Sequence, residues 1–271
     1  MSRILRTEKL ETCYDHYTVF RDINFAVDKG KITTIIGPNG CGKSTLLKTI
    51  GRIIKNKSGA IYLKDRNINN IKTKKIAKDL ALLPQNPIAP LELRVEELIS
   101  YGRFPHCKKF SKLSKEDHDI IDWAMDITKV IDFRDRELGS LSGGQRQKVW
   151  LAMALAQDTE ILLLDEPTTY LDMAHQLEVL KIVEELNKEK KRTIVMVLHD
   201  INHAARFSHK IVAMKSGRII AEGDPNQVIN QRVLKKVFNI DARVMVDEVI
   251  HAPVCFGYDT LSQIIDESTN L

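Results

Sequence analysis

The chain has 271 residues, 43% of them apolar and 28% charged, proportions of a globular protein long enough for one large or two small domains around a buried core. Forty-one Lys and Arg against 36 Asp and Glu leave a net charge of +5, too modest to demand a nucleic-acid partner. No run approaches the roughly 18 apolar residues that a bilayer crossing takes, the opening residues lack the apolar core of a secretion signal, and Cys13, Cys41, Cys107 and Cys255 have no metal-like spacing, so free thiols in a cytosolic protein are expected.

Ile4 to Cys13 and Phe20 to Val27 read as strands joined by a polar turn, and Asp28-Lys29-Gly30 as a second turn into Lys31 to Ile36, together an antiparallel meander. A Gly-rich loop and an apolar-periodic helix from Ser44 to about Ile54 follow, then strands at Gly59 to Leu63 and Leu80 to Leu83. Pro84, Pro87 and Pro90 enforce a loop, since proline fixes φ and donates no backbone hydrogen bond. Helical spacing then runs through Val95 to Arg103, Lys115 to Val130 and Gln145 to Gln157. Strands return at Ile161 to Leu164, Thr193 to Leu198, Lys210 to Met214 and Arg218 to Ala221, the first two as continuous apolar runs of the kind buried on both faces. Beyond Gln227 the pattern predicts one helix to about Phe238 and a strand at Val244 to Val249. The class is α/β, with a largely parallel sheet, an N-terminal antiparallel β subdomain and an inserted helical subdomain.

Gly37-Pro38-Asn39-Gly40-Cys41-Gly42-Lys43-Ser44 matches GxxxxGK[ST] between a β-rich run and a helix, the context that the phosphate loop of a nucleotide triphosphatase requires. Glycines let the backbone curl so that successive N–H groups face phosphate oxygens. Lys43 supplies a cation to the β and γ phosphates, and the Ser44 hydroxyl suits Mg²⁺; Thr45 completes the binding stretch. Cys41 sits in an unconstrained position of the motif. Ile161-Leu162-Leu163-Leu164-Asp165-Glu166 ends a buried strand in two acids, delivering carboxylates to the crevice where ligands of open α/β sheets bind. Asp165 would hold Mg²⁺ through water and Glu166 would accept a proton from an attacking water. His199 and His203 share a helix face and invite a zinc reading, but a zinc protease needs Glu beside the first His, and Asp200 stands there. The basic clusters around Lys72 to Lys78 and Lys188 to Arg192 read as solvated faces.

Leu141-Ser142-Gly143-Gly144-Gln145-Arg146-Gln147 resembles the signature sequence of ABC-family ATPases. With the phosphate loop, Gln85 after an apolar strand, the acidic strand, Leu171-Asp172 and His199 in that order, about residues 4 to 225 resemble an ABC nucleotide-binding cassette. Ser142-Gly143-Gly144 precedes a helix and so offers a second anion site. The resemblance implies ATP and Mg²⁺ as ligands and a head-to-tail dimer in which the signature of one copy, including Gln145, closes over ATP held by the other. In that arrangement Gln85 helps bind Mg²⁺ and senses the transporter, Glu166 polarises water, Asp172 communicates across the dimer and His199 contacts the γ-phosphate. Stacking under adenine falls to Tyr14, with Tyr17 as the runner-up. The implied domains are a cassette at residues 1–240, its helical subdomain at about 86–157, and a tail at 241–271.

Tyr101-Gly102-Arg103-Phe104-Pro105-His106, Ala174 to Leu180 and Leu198 to Arg206 look like the importer ATPases for iron-siderophores, haem and cobalamin. This implies the ATP-hydrolysing subunit of a bacterial importer, with an iron-siderophore-type chelate as the expected cargo and haem and cobalamin open. The implied partners are a second copy, an integral membrane permease received by Asn86 to His106, and indirectly an extracellular substrate-binding protein, with no nucleic acid. The chain would sit peripherally on the cytoplasmic face of the cell membrane. The competing class is a soluble ABC ATPase of DNA repair or translation, whose long coiled-coil insertions or paired cassettes this sequence lacks.

Overall fold

The computed structural model describes residues 2–14, 17–108, 112–169 and 171–261. It divides into two compact units, residues 1–64 with 196–271, and residues 65–195. Strand β1 (Arg3–Tyr14) pairs antiparallel with β2 (Tyr17–Ile23), β3 (Ala26–Asp28) and, beyond β4 (Ile32–Ile36) and α1 (Lys43–Ile50), with β5 (Ser58–Leu63). The expected strand at Phe20 to Val27 is two strands. Asp22 adopts a left-handed φ of 54°, and the Asn24 side chain accepts the Lys9 N–H of β1 at 2.9 Å in place of a backbone carbonyl. Helix α1 stops at Ile50, short of Ile54, because Gly51 caps it and Arg52 turns left-handed at φ 58°, which sends Ile53 into solvent.

The second unit begins with β6 (Arg66–Asn67), α2 (Thr73–Asp79) and β7 (Leu80–Leu83). Helices α3 (Val95–Ser100), α4 (Lys115–Ile127) and α5 (Gly143–Ala156) follow. The expected helix to Arg103 breaks after Ser100 into a 3-10 turn, where Gly102 passes so close to α5 that a Cβ would lie 2.3 Å from the Met153 carbonyl. Helix α4 starts on a capping box in which Ser114 accepts the Asp117 N–H and Asp117 accepts the Ser114 N–H. Strand β8 (Ile161–Asp165) runs parallel to β7, with Leu83 opposite Leu164. All five residues of β8 are buried, as in β4, which accounts for the unbroken aliphatic run Ile161 to Leu164 of β8.

After α6 (Met173–Lys190), β9 (Thr193–Val197) carries the chain into the first unit again. There α7 (Ile201–Phe207) is followed by β10 (Lys210–Lys215), parallel to β4, and β11 (Arg218–Gly223), antiparallel to β10. Short α8 (Pro225–Val228) and α9 (Gln231–Phe238) lead to an antiparallel hairpin of β12 (Ile240–Val246) and β13 (Pro253–Thr260). The strand expected at Val244 to Val249 ends at Val246 because the Asp247 carboxylate accepts the N–H groups of Val249 and Ile250, at 2.8 and 2.9 Å, and turns the chain. Among the described residues no helix is long and apolar enough to cross a membrane.

Candidate functional site: a phosphate loop and an acidic strand end

The buried strand β4 delivers its chain directly into Gly37, whose backbone passes so close to β10 that a Cβ would lie 2.2 Å from the Met214 carbonyl. Only glycine fits there, and its φ of 153° lies outside the range of ordinary side chains. The loop then rises into solvent at Asn39 and Gly40, where a Cβ would meet nothing within 4 Å. It re-enters the protein at Cys41, whose N–H donates to the Pro38 carbonyl at 3.3 Å. Burial pushes the Cys41 thiol above its ordinary value, only partly offset by Lys43, so this cysteine is a packing group and not a ready nucleophile.

Lys43 is 5% exposed, and its ammonium donates to the Gly37 carbonyl at 2.8 Å and the Pro38 carbonyl at 3.1 Å. Gly42 is the N-cap of α1 and offers no side-chain acceptor. An amine held by two carbonyl dipoles, at the start of a helix without a side-chain cap, is a donor set matched to an anion. Ser44 is half-buried and Thr45 buried in the same turn. His199 follows Leu198, whose N–H donates to the Ile35 carbonyl of β4 at 3.3 Å, so the exposed histidine leaves from beside the strand that feeds the loop. Tyr14 and Tyr17 face each other in register at the end of the β1–β2 hairpin, 47% and 71% exposed. Val19 and Phe20 of that hairpin pack against Gly42.

The second unit gathers the other group. β7 and β8 are parallel neighbours that end together, which brings Gln85 to Glu166: the Gln85 amide donates to Glu166 Oε2. Thr169 Oγ1 donates to the same oxygen at 3.0 Å, and the carboxylate is almost wholly buried. Glu166 holds a left-handed φ of 54°, a conformation that costs a non-glycine residue about 1–3 kcal/mol and persists where surrounding structure fixes it. Asp165, beside it, is fully buried at the strand end.

Ser142 caps α5 by accepting the Gln145 N–H at 3.2 Å while Gln145 Oε1 accepts the Ser142 N–H at 2.9 Å. A Cβ on Gly144 would lie 3.2 Å from the His175 ring, and His175 Nδ1 is 2.7 Å from Asp172. Asp172 is the N-cap of α6, and the His175 backbone N–H, followed by its ring, holds the Asp172 carboxyl below the usual carboxylate range. In the same unit the Gln147 amide donates to the Pro167 carbonyl at 2.9 Å, tying the signature helix to the turn after β8.

The ABC transporter family model matches residues 20–169. The chain is 54% identical over 257 residues to the iron(3+)-hydroxamate import ATP-binding protein FhuC of Bacillus subtilis, covering 95% of this chain and 96% of the relative. This chain belongs to the ABC transporter family. The cassette binds and hydrolyses ATP, as members of that family do. It also resembles the dimeric post-hydrolysis structure of the ATP-binding cassette MJ0796 bound to ADP and Pi, at 27% identity and a TM-score of 0.72, over 81% of this chain and 98% of that one. A further likeness, at 26% identity and a TM-score of 0.81, is to the inward-facing structure of a transporter described as of metal-chelate type, covering 97% of this chain and 100% of that one.

Three members of these clusters were not singled out from the cassette's sequence as site residues. Thr169, Gln147 and His175 are common residue types, and each acquires its place by a turn or a packed helix. Gln147 closes the signature stretch Leu141 to Gln147, whereas for the other two the nearest signal is position alone: Thr169 three residues beyond Glu166, and His175 three beyond Asp172.

Proposed function

We propose that this chain is the ATP-hydrolysing subunit of a bacterial importer for iron chelates of siderophore type, working as a pair of copies on the cytoplasmic face of a membrane permease that receives cargo from an extracellular binding protein. The observation that carries this reading is the 54% identity to an iron(3+)-hydroxamate import subunit along nearly the whole of both chains. Lys43 then exchanges its two neutral carbonyl partners for anionic phosphate oxygens, so that donor and acceptor both carry charge. Tyr14 stacks on adenine, while Gly37, Pro38, Asn39, Gly40, Cys41, Gly42 and Thr45 shape the phosphate-binding turn.

Ser44, Gln85 and Asp165 are the proposed ligands of Mg²⁺, and their chemistry fits: a hydroxyl, an amide oxygen and a buried carboxylate are hard oxygen donors. Because Gln85 donates its N–H to Glu166, its carbonyl oxygen is the atom left to face a cation. Mg²⁺, when bound, neutralises charge on the phosphates. Glu166 accepts the proton of the attacking water, oriented by Gln85 and Thr169, and His199 contacts the γ-phosphate. Ser142, Gly143, Gly144 and Gln145 of one copy close over the nucleotide of the other, with Asp172 relaying between copies.

Glu166→Gln in the protein assembled with its permease is expected to lower ATP turnover roughly 100-fold or more while ATP binding is retained; normal turnover refutes the assignment. A strain lacking the chain is expected to lose uptake of radiolabelled ferric hydroxamate. Retained hydroxamate uptake alongside loss of haem or cobalamin uptake moves the cargo to that compound.

A further inference from the structure

The hairpin β12–β13 belongs to the same unit as His199, and one side chain joins them. Asn202 Nδ2 donates to the Cys255 carbonyl at 3.1 Å, and Asn202 Oδ1 accepts the Cys255 N–H at 2.8 Å. The carboxamide thus fills the place that a peptide group of another strand would occupy beside β13, satisfying both backbone groups of one residue. Cys255 is buried and Asn202 half-buried, so the pair is partly shielded from water, which strengthens hydrogen bonds.

Asn202 is the second residue of α7 and lies three positions beyond His199. Asp200 caps that helix by accepting the His203 N–H at 2.7 Å. Residues 199–203 are therefore fixed twice, by Asp200 to their own helix and by Asn202 to the tail. An open cleft of about 350 Å³ lies here, lined by His199 to Asn202 together with Phe238, Ile240, Cys255 and Tyr258. On that side the His199 segment is not close-packed as an interior would be, and it can shift once the amide bridge is lost.

We propose that the tail hairpin braces the histidine segment, with Asn202 as a positioning residue that holds His199 in place through its paired bonds to Cys255. The proposal rests on the role given above to His199 in ATP hydrolysis. It gives residues 240–260 a task that the phosphate loop and the signature do not need for binding nucleotide, only for turning it over.

Hydrogen exchange on the full-length, nucleotide-free protein reads the brace without any catalysis. Asn202→Leu, which removes both bonds, is expected to speed amide exchange roughly tenfold in 199–207 and in 253–258 together. In the protein assembled with its permease, the same variant lowers kcat about tenfold and leaves KM for ATP within about twofold. Asn202→Asp, which keeps an acceptor for the Cys255 N–H but sets a carboxylate oxygen against the Cys255 carbonyl, is expected to leave exchange fast as well. Cys255→Pro, on the edge of β13 away from β12 where proline is tolerated, removes the N–H that Asn202 Oδ1 accepts and keeps the bond to the Cys255 carbonyl. It is expected to speed exchange in 199–207 by less than Asn202→Leu does, and unaltered exchange there overturns the proposal should Asn202→Leu fail to fold. Unaltered exchange at 199–207 overturns the proposal, as does faster exchange with unaltered kcat or with a loss confined to KM. A wild-type assembly that hydrolyses no ATP overturns the functional assignment instead, and the exchange result still decides whether the brace exists.

Discussion

Two glycine-rich turns open helices in this chain, and they are held in opposite ways. The turn at Gly37 to Ser44 leads into α1 without a capping side chain, and its lysine is folded back on two carbonyls of the loop itself. The turn at Ser142 to Gln145 is capped in both directions by its own side chains and stands in solvent. A helix start whose first N–H groups have no side-chain acceptor, set beside a lysine and a glycine-rich turn, leaves donors that an anion can complete. A capped one is stable alone and presents a finished surface to whatever approaches. Similar composition thus serves two tasks, and the difference lies in which donors are already engaged.

The largest effect separating them is expected at the lysine. Lys43→Ala removes the cation at the uncapped turn and should lower kcat/KM for ATP by roughly 100-fold or more, measured as phosphate release by the protein assembled with its permease. A loss below about tenfold would mean that the loop binds phosphate through its backbone alone. Next is Gly37→Ala, whose Cβ would lie 2.2 Å from the Met214 carbonyl; overpacking of this kind against backbone costs about 3 kcal/mol, read from denaturant unfolding. Gly144→Ala meets only the edge of the His175 ring, at 3.2 Å. With alanine favoured in a helix, its net effect on stability is expected to stay within about 1 kcal/mol. Equal losses at the two glycines would erase the contrast.

The phosphate loop and the acidic strand end were legible because their requirements are local: a turn that admits only glycine at position 37, and a buried strand that ends in Asp165 and Glu166. What holds them was not legible. Gln85 and Thr169 reach one oxygen of Glu166 from separate places in the sequence, and the meeting depends on β7 and β8 lying parallel and ending together. Sheet pairing also decided the tail, where β13 alternates too weakly to be read alone and forms against β12. Boundaries failed where one side chain outcompetes the backbone, as Asn24 does beside β1 and Asp247 does after β12. Apolar periodicity carries no information about either.

The far end of the signature helix sharpens the comparison further. Arg103 Nη1 donates to the Ala156 carbonyl, the last residue of α5, at 2.8 Å, and Arg103 Nε donates to Asp117 at 2.8 Å, both side chains buried. Burial raises the Asp117 pKa, but hydrogen bonds from Ser114 and Arg103 outweigh it and hold the carboxyl at about 2, against an ordinary 3.8. A depressed folded pKa contributes stability that is complete above the unfolded value and is lost as pH falls through the folded one. Asp117→Asn is therefore expected to cost roughly 2 kcal/mol at pH 7 and to flatten the fall in stability between about pH 4 and pH 2, followed by chemical denaturation across that window. An undiminished slope in the variant would place the acid sensitivity elsewhere.

The smallest effect is the most discriminating. Ser142→Ala deletes the cap of α5 and should cost about 1 kcal/mol in the isolated chain, while Gly143→Ala, where a Cβ meets nothing within 4 Å, should change stability by less than about 0.5 kcal/mol. If the Ser142 hydroxyl only caps, ATP turnover follows that small loss of stability. If it must leave the Gln145 N–H to reach nucleotide held by a second copy, turnover falls by more than tenfold at temperatures where the variant is fully folded. The helix start would then be finished in the free chain and opened in the assembled one, so that the capping box sets the threshold that closure of the pair has to overcome.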